Sequence, residues 1–186
     1  MSTTTTRPWA RNLLLFILGT WFSLGAFTGY LAGKNFGILK PDAMPRASEF
    51  YGEIPEAGGQ RERALRYAAS ELNRHYFTLS YGIQLVLAAV AMGSFALSSS
   101  RSRMVMVSLG VALLISAFLS FWLTPEIIEL GRKIDDVPRE PITPDRESFS
   151  GLHHIAVVVD SAKLLLILIV GVAMIRCTGA RPESAS

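Results

Sequence analysis

Apolar residues run in four long blocks, residues 13–31, 76–97, 104–123 and 152–175, separated by stretches in which charge, proline and glycine concentrate. Each block approaches the roughly 20 residues needed to cross a hydrocarbon core about 30 Å thick. Lipid offers the backbone no hydrogen-bond partner, so each block is expected to be a helix. The pattern predicts an all-α integral membrane four-helix bundle, one four-span domain over residues 1–186. Residues 34–59 and 137–143 read as loops and residues 178–186 as a flexible tail, because proline, glycine and small polar residues gather there.

Between the first two blocks, residues 60–75 contain no Pro or Gly and mix Glu62, Arg63, Arg66 and Arg74 with Leu65, Ala68 and Leu72. The second helix is therefore expected to project beyond the membrane, extending the bundle on its outer side. After the third block, Thr124-Pro125-Glu126 combines a good N-cap, a favoured first helical residue and an acid for the positive end of the dipole. A new short helix is expected there, lying on the membrane surface or on the extended second helix. The same logic starts the last helix near Thr143-Pro144-Asp145.

Within the spans, polar and small residues keep helical spacing. Tyr76, Ser80 and Gln84 fall four apart, a polar stripe that should face the bundle interior. Gly25, Gly29, Gly33 and Gly37 also recur every four residues, marking a close-packing face within the bundle or between copies. Trp9, Trp21, Trp122, Tyr30 and Tyr76 lie near span ends, where such rings anchor at headgroup depth.

The last block carries the unusual chemistry. His153, His154, Asp160 and Lys163 interrupt an otherwise apolar run, and a central ionisable group costs roughly 2.5–3.5 kcal/mol to insert. Asp160 and Lys163 are three apart, within reach of an ion pair on one face. His153 lies seven residues before Asp160, about 10 Å toward the outer surface. Such a ladder suits a proton relay or an ion-coupled carrier; the alternative is a self-neutralised pair that sets helix register.

Half of the 186 residues are apolar and 18% are charged, the balance of a small multi-pass membrane protein. A net charge of +3 with no basic face interleaved with aromatics gives no reason to expect nucleic acid. Arg7, Arg11, Arg101, Arg103, Arg176 and Arg181 gather on the side holding both ends, which places the N- and C-termini in the cytoplasm of a cell (inner) membrane. The first block, longer than a cleavable signal's apolar core, reads as an uncleaved anchor. Cys177 is the one cysteine, so no internal disulfide forms. It reads as a palmitoylation site or an inert interfacial thiol.

His75, His153 and His154 share the outer face with Glu71, Asp145 and Glu147 nearby, but their spacing matches no ligand motif and adjacent histidines diverge by about 100° on a helix. No metal and no cofactor is assigned. Phosphate-cradling loops, zinc-protease helices and nucleophile elbows are missing from the sequence.

Arg74-His75-Tyr76-Phe77 opening the second span, Leu123-Thr124-Pro125-Glu126-Ile127 after the third, and Phe149-x-x-Leu152-His153 opening the fourth resemble the transmembrane protein 205-like family over nearly the full length. Ala156 stands where that family carries a small polar residue, while Asp160 matches its next polar position. The resemblance implies an integral membrane protein with a polar face on the last helix and no assigned catalytic residue.

The leading expectation is a small transport-related or accessory membrane protein with a binding site built from His153, Asp160 and Lys163, and Gln84, Ser80 and Tyr76 opposite. A carrier this small is expected to oligomerise. The second expectation is a non-catalytic assembly or scaffold subunit joined through the glycine face to copies of itself or to membrane-complex partners. A membrane metal-binding protein or oxidoreductase using the outer histidines is the third. Soluble-enzyme chemistry is disfavoured, and the lipid bilayer is the expected partner.

Overall fold

The computed structural model describes residues 8–40, 43, 59–98, 102–135, 137 and 140–179, with side chains to residue 176. Four helices make up nearly all of it: α1 Pro8–Ile38, α2 Gln60–Leu97, α3 Arg103–Lys133 and α4 Pro144–Gly179. All four are long and apolar enough to cross a membrane. Among the described residues there is no strand. The chain is an all-α, multi-pass membrane protein.

Local chemistry explains the helix ends. Pro8 suits the first position of α1, where its missing N–H has no partner to lose. Gly59 precedes α2 with φ 67°, a left-handed conformation that glycine adopts without strain. Ser102 caps α3 by accepting from the Val105 amide at 3.4 Å. Thr143 does the same for Arg146 before α4, whose first turn carries Asp145 and Glu147 at the positive end of the dipole. With 38 residues, α2 rises about 57 Å, well beyond a hydrocarbon core.

Two boundaries differ from the sequence pattern. Helix α1 continues to Ile38, into the stretch read as loop, and α4 runs to Gly179 into the stretch read as tail. The remainder of that tail, residues 180–186, and most of residues 41–58 lie outside the described residues.

The helix expected to start at Thr124 forms as Thr124–Lys133, but it continues from the third span instead of standing apart. Thr124 is itself helical (φ −67°, ψ −46°), and α3 passes through it without interruption by a π-helical turn at Leu119–Leu123. Pro125 is the physical cause. It has no amide to give the preceding turn, and its ring crowds the carbonyl four residues back. The Thr124 N–H instead reaches the Leu119 carbonyl, and the widened turn makes room for the ring. The segment Thr124–Lys133 then packs chiefly on α4 and also touches α2.

The helices close a ring in which α1 packs on α2, α2 on α3, α3 on α4 and α4 on α1. One apolar cluster, including Leu14, Ala88, Phe95, Leu109 and Ile167, fills the end nearest the α2–α3 connection. A second, built on Tyr81, Leu119 and Leu123, fills the other half. Outward-facing Phe16, Leu114, Phe121 and Val158 are exposed, as lipid-facing positions of a spanning helix should be.

Candidate functional site

The side chains between the two apolar clusters are polar. Lys163, fully buried at 0% exposure, projects from α4 across the bundle, and its Nζ donates to Asp160 Oδ1 and to Gln84 Oε1, each at 2.6 Å. The Tyr81 ring lies 5.2 Å from the same nitrogen and presents its π face to the remaining side of the ammonium. An ammonium has three donors, and this arrangement occupies all of its directions. The desolvation that makes a buried lysine costly is thus offset by a carboxylate, an amide oxygen and an aromatic face.

Gln84 connects this pair to α1. Its Oε1 also accepts from Trp21 Nε1 at 3.1 Å, and its Nε2 donates to Ser80 Oγ at 3.0 Å. The Ser80 and Thr28 hydroxyls are 2.9 Å apart, and Thr28 Oγ1 lies 2.8 Å from the Leu24 carbonyl. A carbonyl only accepts, so Thr28 gives its proton there and Ser80 supplies the proton between the hydroxyls. Ser120 donates to the Tyr81 carbonyl at 3.1 Å, bringing α3 to the same level as the other three helices.

Asp160 is the member of the set with an open edge. Its side chain keeps 19% exposure while Lys163 keeps none. The pair is neutral as a unit, with its acceptor end partly exposed and its donor end buried.

Of the residues the sequence nominates, the structure brings Asp160, Lys163, Gln84 and Ser80 into one hydrogen-bonded set. His153 lies outside it, exposed, with its ring stacked on Phe149 at 6.0 Å. Tyr76 is half-buried and flanks His75 at 6.5 Å. His154 Nδ1 is 2.8 Å from the Ser150 carbonyl and so carries the proton. Among the described residues no three His, Cys, Asp or Glu side chains are grouped to hold a metal.

Trp21 corrects the reading of it as an interfacial anchor. It is completely buried at mid-helix with its indole N–H satisfied by Gln84, whereas Trp9 and Trp122 are about half exposed. Its place 13 residues inside α1, far from either end, was the available signal. Thr28 and Tyr81 also belong to the set without having been nominated. They lie on the inward faces that also carry Trp21 and Gln84.

The glycine face divides. A Cβ on Gly25 would meet Leu164 Cδ2 at 2.6 Å, so this glycine permits the contact of α1 with α4. At Gly29, Gly33 and Gly37 an added Cβ meets nothing within 4 Å. Those three face away from the bundle.

A second polar group ties the projecting ends together. Arg74 donates to Glu71 at 2.6 Å and to Asp135 at 2.7 Å, bridging α2 to the end of α3. Gly131 lies beneath it, where a Cβ would stand 3.1 Å from Arg74 Nη2 and 3.3 Å from Phe149. Asn35 donates to Asn73 at 2.6 Å, fastening the end of α1 to α2. These contacts join element ends.

Residues 63–135 match the model of a domain of unknown function (DUF4149). No curated protein and no solved structure matches the chain. The DUF4149 stretch takes in most of α2 and all of α3, with Ser80, Tyr81, Gln84 and the π turn. It ends before the helix that carries Asp160 and Lys163.

Proposed function

We propose that this chain is a small transport-related membrane protein of the transmembrane protein 205-like kind, a single four-span domain whose bundle centre handles a proton or small cation at Asp160. The observation that carries the reading is the asymmetry of the pair: a fully buried ammonium held by Asp160 and Gln84, beside a carboxylate with an exposed edge. Asp160 is the exchange point and Lys163 its fixed counter-charge. Gln84, Ser80 and Thr28 hold Lys163 in place through α1 and α2. His153 serves at most as a surface acceptor above the site, since it shares no hydrogen bond with the central set. Both termini lie in the cytoplasm of the cell (inner) membrane.

Proteoliposomes loaded with a pH-sensitive dye test this directly. The full chain is expected to collapse an imposed pH gradient faster than empty vesicles, and Asp160→Asn to remove that excess rate. The paired variant Asp160→Leu with Lys163→Met, which leaves no buried charge unpaired, should be equally inactive while remaining folded. A wild-type rate equal to that of empty vesicles, or full activity in the paired variant, rejects the reading.

The open side of Gly29, Gly33 and Gly37 supports a second reading, an assembly subunit that associates through that face. It predicts that Gly29→Leu dissociates a complex in mild detergent while the paired Asp160 and Lys163 variant leaves it intact. An unchanged complex in Gly29→Leu would reject it.

A further inference from the structure

The π turn of α3 borders a groove of about 430 Å³ against α2, beside the central polar set and sharing Tyr81 with it, walled by Tyr81, Ser120, Thr124, Pro125 and Ile128 with Glu129 and Arg132 at its rim. Its construction departs from a plain helix at one point. The carbonyl of Ser120 would receive the residue-124 amide in an α-helix and the residue-125 amide in a π-helix. Thr124 N–H goes to Leu119 instead, and Pro125 has no N–H. A groove-lining turn therefore carries a carbonyl without an amide donor from its own helix, in a class of turn often found at functional positions.

The rim is positively charged. Glu129 is taken up by Lys133 at 2.9 Å, and Arg132, exposed one turn beyond Ile128, has no ion-pair partner among the described residues. The groove spans the boundary at which the apolar run of α3 ends, level with half-exposed Trp122, a residue type that settles at headgroup depth. Its walls mix Tyr81, Pro125 and Ile128 with the hydroxyl side chains of Thr78, Ser120 and Thr124, and its outer end is the Arg132 guanidinium, suited to bidentate hydrogen bonds with a phosphate.

We propose that this groove binds one phospholipid, the phosphate held by Arg132 and an acyl chain lying over Tyr81, Pro125 and Ile128. A phosphodiester at the membrane boundary matches both the charge at the rim and the apolar part of the wall beneath it. Free phosphate would use the rim alone and leave that wall uncovered.

The test uses the full chain in mild detergent, with bound lipid counted by native mass spectrometry. Phosphatidylglycerol should be retained as one molecule per chain, about tenfold more strongly than diacylglycerol with the same acyl chains. Arg132→Gln should bring phosphatidylglycerol down to the diacylglycerol level, while Arg103→Gln, at the opposite end of α3, should leave retention unchanged. Thr78→Phe, which fills the groove from α2, should lower retention of both lipids. Equal retention of the two lipids by the wild type, full retention by Arg132→Gln, or displacement by millimolar inorganic phosphate would overturn the proposal.

Discussion

Replacing the charged pair one member at a time and then together measures how the bundle centre is held. Asp160→Leu leaves the Lys163 ammonium at 0% exposure with only the Gln84 oxygen and the Tyr81 ring. Breaking a buried pair in this way costs about 3–5 kcal/mol. Lys163→Met leaves a carboxylate with a 19% exposed edge, and the loss of its charged hydrogen bond costs about 1.5–3 kcal/mol. The two together leave nothing charged in the centre, and Gln84 Oε1 keeps the Trp21 donor, so the double variant should lie within about 1 kcal/mol of wild type. The coupling between the sites is then at least about 3 kcal/mol. The assay is unfolding by a denaturing detergent in lipid bicelles, read by Trp21 fluorescence in a background with Trp9→Phe and Trp122→Phe. Additive effects, with the double variant as unstable as the sum of the singles, would refute the account of Lys163 as a charge held chiefly by Asp160.

Gly25→Leu should destabilise the bundle by about 1–3 kcal/mol in the same assay, because its side chain must displace Leu164 and crowd Gln84, whereas Gly29→Leu should leave the isolated chain's stability unchanged. Arg74→Gln removes two partly buried ion pairs and is expected to cost about 2 kcal/mol, seen as a lower melting temperature. Pro125→Ala restores an amide at the π turn; slower hydrogen exchange across residues 119–125 is the expected result, and unchanged exchange would remove Pro125 as the cause of the turn.

Much of the fold was legible because membrane helices obey a local rule. A run of apolar residues long enough to cross lipid must satisfy its own backbone, which sets number, length and helical state without reference to neighbours. The run-on from Gln60 into the second span was readable for the same reason, since nothing in it breaks a helix. The π turn was not. Thr124-Pro125-Glu126 satisfies the local chemistry of a helix start, and only packing of the following segment on α4 and α2 decides that the chain continues instead of stopping. Trp21 was misread because tryptophan carries both a lipid-anchoring ring and a hydrogen-bond donor, and composition alone does not say which of the two a site uses.

For the candidate site the division falls at the helix surface. The primary sequence dictates that Asp160 and Lys163 share a face and must avoid lipid, because hydrocarbon penalises charge at that depth and helical spacing brings residues three apart together. Which groups meet them depends on how far each helix is rotated and shifted against the next, a property of the assembled bundle. Only that packing puts Gln84 between Lys163 and Trp21, turns Gly25 inward while Gly29, Gly33 and Gly37 face out, and leaves His153 outside the polar set.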